Sequence, residues 1–195
     1  MGIVVSKNGG ASWTKIRISN QNGSQSTIAA IAPSNANILY VGGVDSAWKA
    51  LIYKSTNGGA QWTSITGGIQ SQLLAVAVDP QDSNIVYIAT YSEIMRSANG
   101  GGSWTKCAFP SNAWGFRAVV VNPEDPNQVF VGTSRGVFYS QDRGLTWTDV
   151  SAGLLVPDVN QLCFNPTTST LYVGTEGGGL WKRTFKLKSP FEDRD

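Results

Sequence analysis

Apolar and polar positions alternate in short blocks along the chain, and no stretch keeps the 3.6-residue period of a helix. The apolar segments are 4–8 residues long, rich in Val, Ile, Tyr, Phe, Trp and Thr, and bounded by Gly, Pro, Asn, Asp or Ser, which is typical of β-strands. Four kinds of segment recur in a fixed order, and we name them A to D. A is IAAIAP, LLAVAVDP, RAVVVNP and QLCFNP; B is ILYVGG, IVYIAT, VFVGT and LYVGT; C is IVVS, LIYKS, EIMRS, GVFYS and GLWKR; D is SWTKIRI, QWTSIT, SWTKCAF and TWTDVS.

An octet with the pattern Ser-x-Asn/Asp-x-Gly-x-x-Trp joins segment C to segment D. It occurs as SKNGGASW, STNGGAQW, SANGGGSW and SQDRGLTW, and the successive tryptophans are 49, 42 and 43 positions apart. A catalytic constellation is built once per domain, whereas a structural unit can be copied. The near-constant spacing therefore predicts a repeat protein.

Four antiparallel strands in roughly 43 residues indicate the blade of a β-propeller. We predict an all-β propeller over residues 1–186 and a C-terminal tail over 187–195, with A innermost, most continuously apolar and buried on both faces. Three blades are complete, at about 27–66, 73–108 and 116–151. A four-bladed ring results if strands A to C of 159–185 pair with the D strand near Trp13, which leaves one C strand surplus. The alternative is that the chain forms part of a larger propeller.

The chemistry of the octet is that of a turn. Its Asn or Asp accepts hydrogen bonds from nearby backbone N–H groups, its glycine permits a positive φ, its serine adds a local bond, and its tryptophan buries a large surface. We assign a structural role to the sixteen defining residues: Ser6, Asn8, Gly10, Trp13, Ser55, Asn57, Gly59, Trp62, Ser97, Asn99, Gly101, Trp104, Ser140, Asp142, Gly144 and Trp147. A calcium site is disfavoured because only one of the four octets carries a carboxylate.

The four octets resemble Asp-box (BNR) repeats, and the flanking YVGT…GLWKR and IYKSTNGG phrases resemble those of Asp-box propellers. Such propellers include sialidases, xyloglucan-active glycoside hydrolases, sortilin-type receptors and photosystem II assembly factors. The resemblance implies the fold and places the boxes on the rim away from the active face. It does not select one function, because this fold hosts several. Three boxes here have Asn in place of Asp, which a turn tolerates.

Composition removes several classes of function. The net charge of +2 gives no electrostatic footprint for nucleic acid. The absence of histidine excludes His-based triads and His-ligated metals, and two separated cysteines predict buried thiols instead of a zinc or redox pair, so no cofactor or metal is expected. No apolar run is long enough for a membrane span. No signal peptide is recognisable, although Asp-box relatives are mostly secreted, so the compartment is left open.

Candidate ligand residues lie in the B–C and D–A connections, at the rim opposite the boxes. Two tryptophans in these connections have no counterparts in the other units, and a tyrosine and two arginines lie in connections at the same rim. The candidate set is Trp48, Tyr91, Trp114, Arg117 and Arg135. Aromatic faces there can stack on sugars or anchor proteins, or else plug gaps between blades. Four acids share this rim and would supply a carboxylate pair if the chain were a glycosidase: Asp45, Glu93, Asp158 and Glu176. The simpler interpretation is that they are solvated loop acids.

We therefore expect a non-catalytic binding or scaffold module, monomeric or dimeric, that binds a glycan or a protein on this rim. One alternative is the C-terminal fragment of an Asp-box glycoside hydrolase. The other is a half-ring that completes a propeller by dimerising.

Overall fold

A computed structural model describes residues 1–6, 8–19 and 25–185. Every helix or strand element in these ranges is a β-strand. The strands, in chain order, are β1 Gly2–Val5, β2 Thr14–Arg17, β3 Gln25–Ala32, β4 Asn35–Val44, β5 Ala50–Ser55, β6 Thr63–Ser64, β7 Leu73–Val78, β8 Val86–Thr90, β9 Ile94–Ser97, β10 Thr105–Lys106, β11 Ala118–Val121, β12 Val129–Thr133, β13 Gly136–Ser140, β14 Thr148–Asp149, β15 Val159–Asn165, β16 Thr170–Thr175 and β17 Gly179–Thr184. The predicted tail at 187–195 lies outside the described residues.

The strands form five antiparallel sheets in chain order. The first sheet is β1–β2, the second β3 to β6, the third β7 to β10, the fourth β11 to β14, and the fifth β15 to β17. Each complete sheet runs A, B, C, D, with a fourth strand of only two residues. The first strands of neighbouring sheets contact one another, β3 with β7, β7 with β11 and β11 with β15. This succession of radially arranged sheets is the architecture of a β-propeller.

The two terminal sheets remain separate in the structure. Strand β2 pairs with β1, with Val5 opposite Thr14, and β17 pairs with β16. The ring closure expected from the sequence, in which the D strand near Trp13 completes the sheet of 159–185, is therefore not formed among the described residues. The observed arrangement is three complete sheets between two incomplete ones.

Two of the B strands, β8 and β12, are the most buried elements among the described residues. All five residues of β8 and all five of β12 are buried, whereas the A strand β15 alternates between buried and exposed positions. The prediction that the A strands are buried on both faces was wrong for β7 and β15, most of whose residues are not fully buried. An A strand at the inner edge has one strand neighbour, while a B strand is flanked on both sides and packs between adjacent sheets.

Each box closes on itself through the same three hydrogen bonds. In the fourth box the Ser140 hydroxyl donates to Asp142 Oδ1 (2.7 Å) and accepts from Gly144 N–H (2.8 Å), and Thr146 N–H donates to Asp142 Oδ1 (2.8 Å). The first three boxes repeat this set with Asn in place of Asp. The two residues after each Asn or Asp have positive φ; they are glycines in three boxes and Arg143–Gly144 in the fourth.

The boxes also bind the preceding sheet. The Tyr87 hydroxyl of β8 donates to the carbonyl of Arg143 (2.8 Å), and Arg143 Nε lies 3.4 Å from Oδ2 of Asp79, which is fully buried. That contact is an ion pair without hydrogen-bond geometry. Lys54 Nζ makes the corresponding link from the second sheet to the carbonyl of Gly100 in the third (3.1 Å). The box loops therefore join neighbouring sheets as well as neighbouring strands.

The two cysteines differ in their surroundings. Cys107 is buried, and desolvation raises the pKa of its thiol to about 11. Cys163 is exposed on β15, so the expectation of two buried thiols was wrong for this residue. The alternating exposure of β15 accounts for the difference.

Candidate ligand-binding surface

The B–C and D–A connections lie at the opposite end of the strands from the boxes, because the strands of each sheet alternate in direction. All nine candidate residues occupy these connections or the strand positions next to them. The structure gathers six of them into two neighbouring groups, which the segment Trp114–Arg117 connects.

The first group is an exposed aromatic pair with a cation, which we call the aromatic surface (Tyr91, Trp114 and Arg135). The rings of Tyr91 and Trp114 meet edge to face with centroids 6.5 Å apart, and the Arg135 guanidinium lies 5.7 Å from the Trp114 ring centroid. Tyr91 is 50% exposed and Trp114 is 45% exposed. Three different connections, β8–β9, β10–β11 and β12–β13, supply the three side chains, so the surface spans the third and fourth sheets.

Backbone bonds hold Trp114 in place although its side chain is exposed. Its carbonyl accepts from Ser134 N–H (3.1 Å), and Phe116 N–H donates to the carbonyl of Tyr91 (3.3 Å). Phe116 is 4% exposed and packs in the core between the two sheets. Gly115 has φ of 66°, and a Cβ there would overlap the Ser134 hydroxyl. A glycine is therefore required beside Trp114, and the indole is presented from a fixed backbone.

The second group is a chain of polar contacts between the fourth and fifth sheets. Arg117 Nη1 donates to Asp158 Oδ1 (2.7 Å) and to Asn160 Oδ1 (2.7 Å). Asn160 Nδ2 donates in turn to Glu176 Oε2, and Glu176 N–H donates to the carbonyl of Asp158 (2.8 Å). The side chains of Arg117 and Asp158 are 29% and 35% exposed. This arrangement links two carboxylates through one guanidinium and one amide, and the guanidinium neutralises Asp158.

Asn160 is the member of this group that the sequence analysis missed. It follows Asp158 by two positions at the start of β15, and alternate residues of a strand point to the same side. That i, i+2 relation was the available signal. An isolated Asn in an apolar strand gives no other indication of its role.

The remaining candidates make local contacts. Asp45 Oδ1 accepts from the N–H groups of Ala47 (2.8 Å) and Lys49 (2.9 Å), so it caps its own turn. Trp48 in that turn has φ of 62° and is 66% exposed. Glu93 pairs with Lys106 of β10 at 3.3 Å. The structure thus brings Asp158 and Glu176 together and places Asp45 and Glu93 in separate turns.

The described part of the chain offers neither a metal-binding cluster nor a membrane-spanning helix. Residues 1–6, 8–19 and 25–185 contain no cluster of three or more His, Cys, Asp or Glu side chains suited to hold a metal ion. The same residues form no helix of the length and apolarity that a membrane crossing requires.

Comparison with known proteins agrees with the repeat and the fold. The family model described as BNR/Asp-box repeat matches residues 138–149, which include the fourth box. No curated protein matches the chain. A GH74 enzyme of Niastella koreensis is 26% identical over 84% of this chain and 29% of its own, with a TM-score of 0.67. An ancestral GH74 enzyme is 22% identical over 89% of this chain and 25% of its own, with a TM-score of 0.62.

A second kind of similar structure is YCF48. A structure of YCF48 bound to a D1 peptide is 16% identical over 91% of this chain and 58% of its own, with a TM-score of 0.54. The chain therefore spans between a quarter and somewhat over half the length of these proteins. Four box sequences with one set of hydrogen bonds, the matched repeat model and the shared fold lead to one conclusion: this chain is a β-propeller built from BNR/Asp-box repeats.

Proposed function

We propose that this chain is a non-catalytic binding module that engages a glycan or a protein partner through the aromatic surface. The observation that carries the proposal is the half-exposed pair Tyr91 and Trp114, held on a bonded backbone beside Arg135. Tyrosine, tryptophan and arginine are the residues enriched at binding hot spots. Their rings also offer faces for stacking on sugars.

The polar contacts of the acids favour binding over hydrolysis. A general acid and a nucleophile or base must both be free to reach the scissile bond. Asp158 is paired with Arg117, Glu93 with Lys106, and Asp45 with the backbone of its own turn. YCF48, which shares this fold, is seen bound to a peptide, so a protein of this fold can present a peptide-binding surface.

Binding can be tested with a glycan array and a peptide array, followed by calorimetric titration of any hit. We expect Trp114→Ala to weaken binding by about 30-fold, the effect of losing a hot spot of about 2 kcal/mol. Trp13→Ala is the matched control, because Trp13 is also exposed but lies at the box end. Equal affinity of the two variants, or the absence of any ligand on either array, would contradict the proposal.

A glycoside hydrolase function is the second candidate. It is favoured by the likeness to GH74 enzymes and by the link between Asp158 and Glu176, through the backbone of both and through Arg117 and Asn160. Incubation with soluble glucans and a reducing-sugar assay tests it. Release of sugar that Glu176→Gln abolishes, with the fold unchanged, would establish hydrolysis and overturn the non-catalytic proposal.

A further inference from the structure

In the second to fifth sheets the third strands are β5, β9, β13 and β17. The outer edge of β17 differs from those of the other three. Strands β5, β9 and β13 each pair on their outer side with a short fourth strand. Strand β17 pairs on its inner side with β16, and no described residue forms a strand on its outer side. A cavity of about 310 Å³ adjoins this edge.

The pairing register shows what this cavity corresponds to elsewhere in the chain. Val173 pairs with Trp181 as Ile88 pairs with Met95, and Val150 N–H bonds back to the third strand as Ile65 N–H does. Four lining residues thus have counterparts between the second and third sheets: Val150, Leu154, Val173 and Trp181 correspond to Ile65, Ile69, Ile88 and Met95.

Between the second and third sheets, those counterparts surround a box tryptophan. Trp104 packs against the cluster that contains Ile69, Ile88 and Met95, and its indole N–H donates to the carbonyl of Ile65 (3.0 Å). The cavity beside β17 is therefore the place where a box tryptophan of the fifth sheet would lie.

Two other side chains of the fifth sheet line this place without filling it. Arg183 Nη1 donates to the carbonyl of Val150 (2.6 Å), the bond that Trp104 makes to Ile65. Phe185 packs against the rings of Phe130 and Tyr139, with centroids 4.9 and 5.1 Å away. Arg183 is exposed, so its guanidinium can yield the carbonyl to an incoming indole N–H.

The complementary element is present at the other end of the chain. Trp13 is 63% exposed, whereas Trp147 in the same box position is 8% exposed. Trp13 immediately precedes β2, which pairs with β1 in the register that fourth strands use, Val5 opposite Thr14 as Tyr139 is opposite Thr148. The chain thus carries an exposed box tryptophan followed by a strand that pairs as a fourth strand does. It also carries a strand edge, at β17, that no described strand covers, beside a cavity where a box tryptophan would lie.

We propose that β17 and this cavity form a docking groove for the Asp-box segment of a second copy of the chain. The Trp13 indole of that copy enters the cavity, and its β2 pairs with β17 in place of β1. Lys182 would then face Thr14, as Tyr139 faces Thr148. The groove shares no residue with the aromatic surface, so it stands or falls independently of the proposed ligand binding.

A synthetic peptide of residues 6–17 tests the groove directly, because it carries the box and β2 without β1. We expect calorimetry to show one peptide bound per chain, and the Trp13→Ala peptide to bind about 30-fold more weakly. Leu154→Arg in the protein should abolish binding, while Leu155→Arg should not, since Leu155 is 81% exposed and outside the cavity lining. Failure of the wild-type peptide to bind, or binding that ignores Trp13 or Leu154→Arg, overturns the proposal.

The second copy as occupant is tested on the full chain by sedimentation velocity over a range of concentrations. We expect self-association that Trp13→Ala suppresses and that excess peptide reverses. Trp48→Ala is the matched control, because Trp48 is 66% exposed and lies at the other end of the strands. A chain that stays monomeric at all concentrations refutes docking of a second copy. Association that persists in Trp13→Ala refutes it as well.

Discussion

Asp142 offers the sharpest test of the box, because the other three boxes carry Asn at the same place. Desolvation acts to raise the pKa of the Asp142 carboxyl, but hydrogen bonds from Thr146, Ser140 and Leu145 outweigh it and lower the pKa from 3.8 to about 2. The strongest bonds come from Thr146, whose hydroxyl lies 2.5 Å from Oδ2 and whose N–H lies 2.8 Å from Oδ1. The Asp142 carboxylate is therefore more strongly favoured over the neutral acid in the folded protein than in the unfolded chain.

The expected magnitude follows from linkage. A shift from 3.8 to about 2 corresponds to about 2.4 kcal/mol at 1.36 kcal/mol per pKa unit, and solvent screening of this partly exposed group reduces it to roughly 1–2 kcal/mol. Because the folded-state pKa is the lower one, this stabilisation is complete above the unfolded pKa and disappears as the pH falls through about 2. Asp142→Asn should therefore lower the free energy of unfolding by roughly 1–2 kcal/mol at pH 7 and by almost nothing near pH 2.

The amide variant is conservative, because Asn99 makes the corresponding contacts to the serine hydroxyl and to the residue four positions on. Asn99 Oδ1 accepts from Ser97 and from Ser103 N–H, and Asn99 Nδ2 donates to the Ser103 hydroxyl. Urea unfolding followed by tryptophan fluorescence from pH 7 to pH 2 measures the difference between wild type and variant. Asn99→Asp is the reciprocal control and should gain a similar pH-dependent stabilisation. A wild-type-minus-variant difference that is constant across this pH range would refute the reasoning.

Three further outcomes follow from other contacts. Arg143→Ala should destabilise the chain by about 2–4 kcal/mol at pH 7 in urea unfolding, because it leaves the buried Asp79 carboxylate without its cation; Arg143→Lys, which keeps the charge, should lose less. With a thiol reagent, the native protein should react quickly at exposed Cys163 and slowly at Cys107, whose buried thiol has a pKa raised to about 11, and two fast thiols should appear on unfolding. Gly115→Ala should cost about 1–3 kcal/mol of stability and weaken any ligand of the aromatic surface, because the backbone has φ of 66° there; Gly67→Ala, at a glycine with open space around it, is the control.

The repeat made much of this fold readable in advance. The box is a local device whose bonds span four residues or fewer, as between Asn57 Oδ1 and Gln61 N–H, so its sequence alone specifies the turn and hence the strands on either side. The order A, B, C, D follows from the turns. Two features could not be predicted from the sequence: the greater burial of β8 and β12 and the exposure of Cys163. Both depend on how neighbouring sheets pack.

The candidate site shows the same division. The position of Trp114 outside the repeat was visible as a departure from the pattern, but its contact with Tyr91 and Arg135 joins three connections in two sheets. Asn160 escaped notice because it bridges two side chains that approach only when the fourth and fifth sheets pack. Such contacts require the angle between sheets, which no turn sequence encodes.

The two ends of the strands differ in how their side chains are bonded. At the box end the loops are committed to neighbouring sheets, as Tyr87 donates to Arg143 and Lys54 to Gly100. A side chain engaged in such bonds cannot be altered for a ligand without loosening the junction between sheets. At the other end Arg117 also bonds between sheets, to Asp158 and Asn160, but Trp114 and Tyr91 make their hydrogen bonds through the backbone. Their rings contact one another, and the Trp114 ring contacts Arg135, so the two side chains can change without breaking a hydrogen bond between sheets. We therefore expect substitutions of Trp114 and Tyr91 to cost little stability, which suits the ligand binding proposed for the aromatic surface.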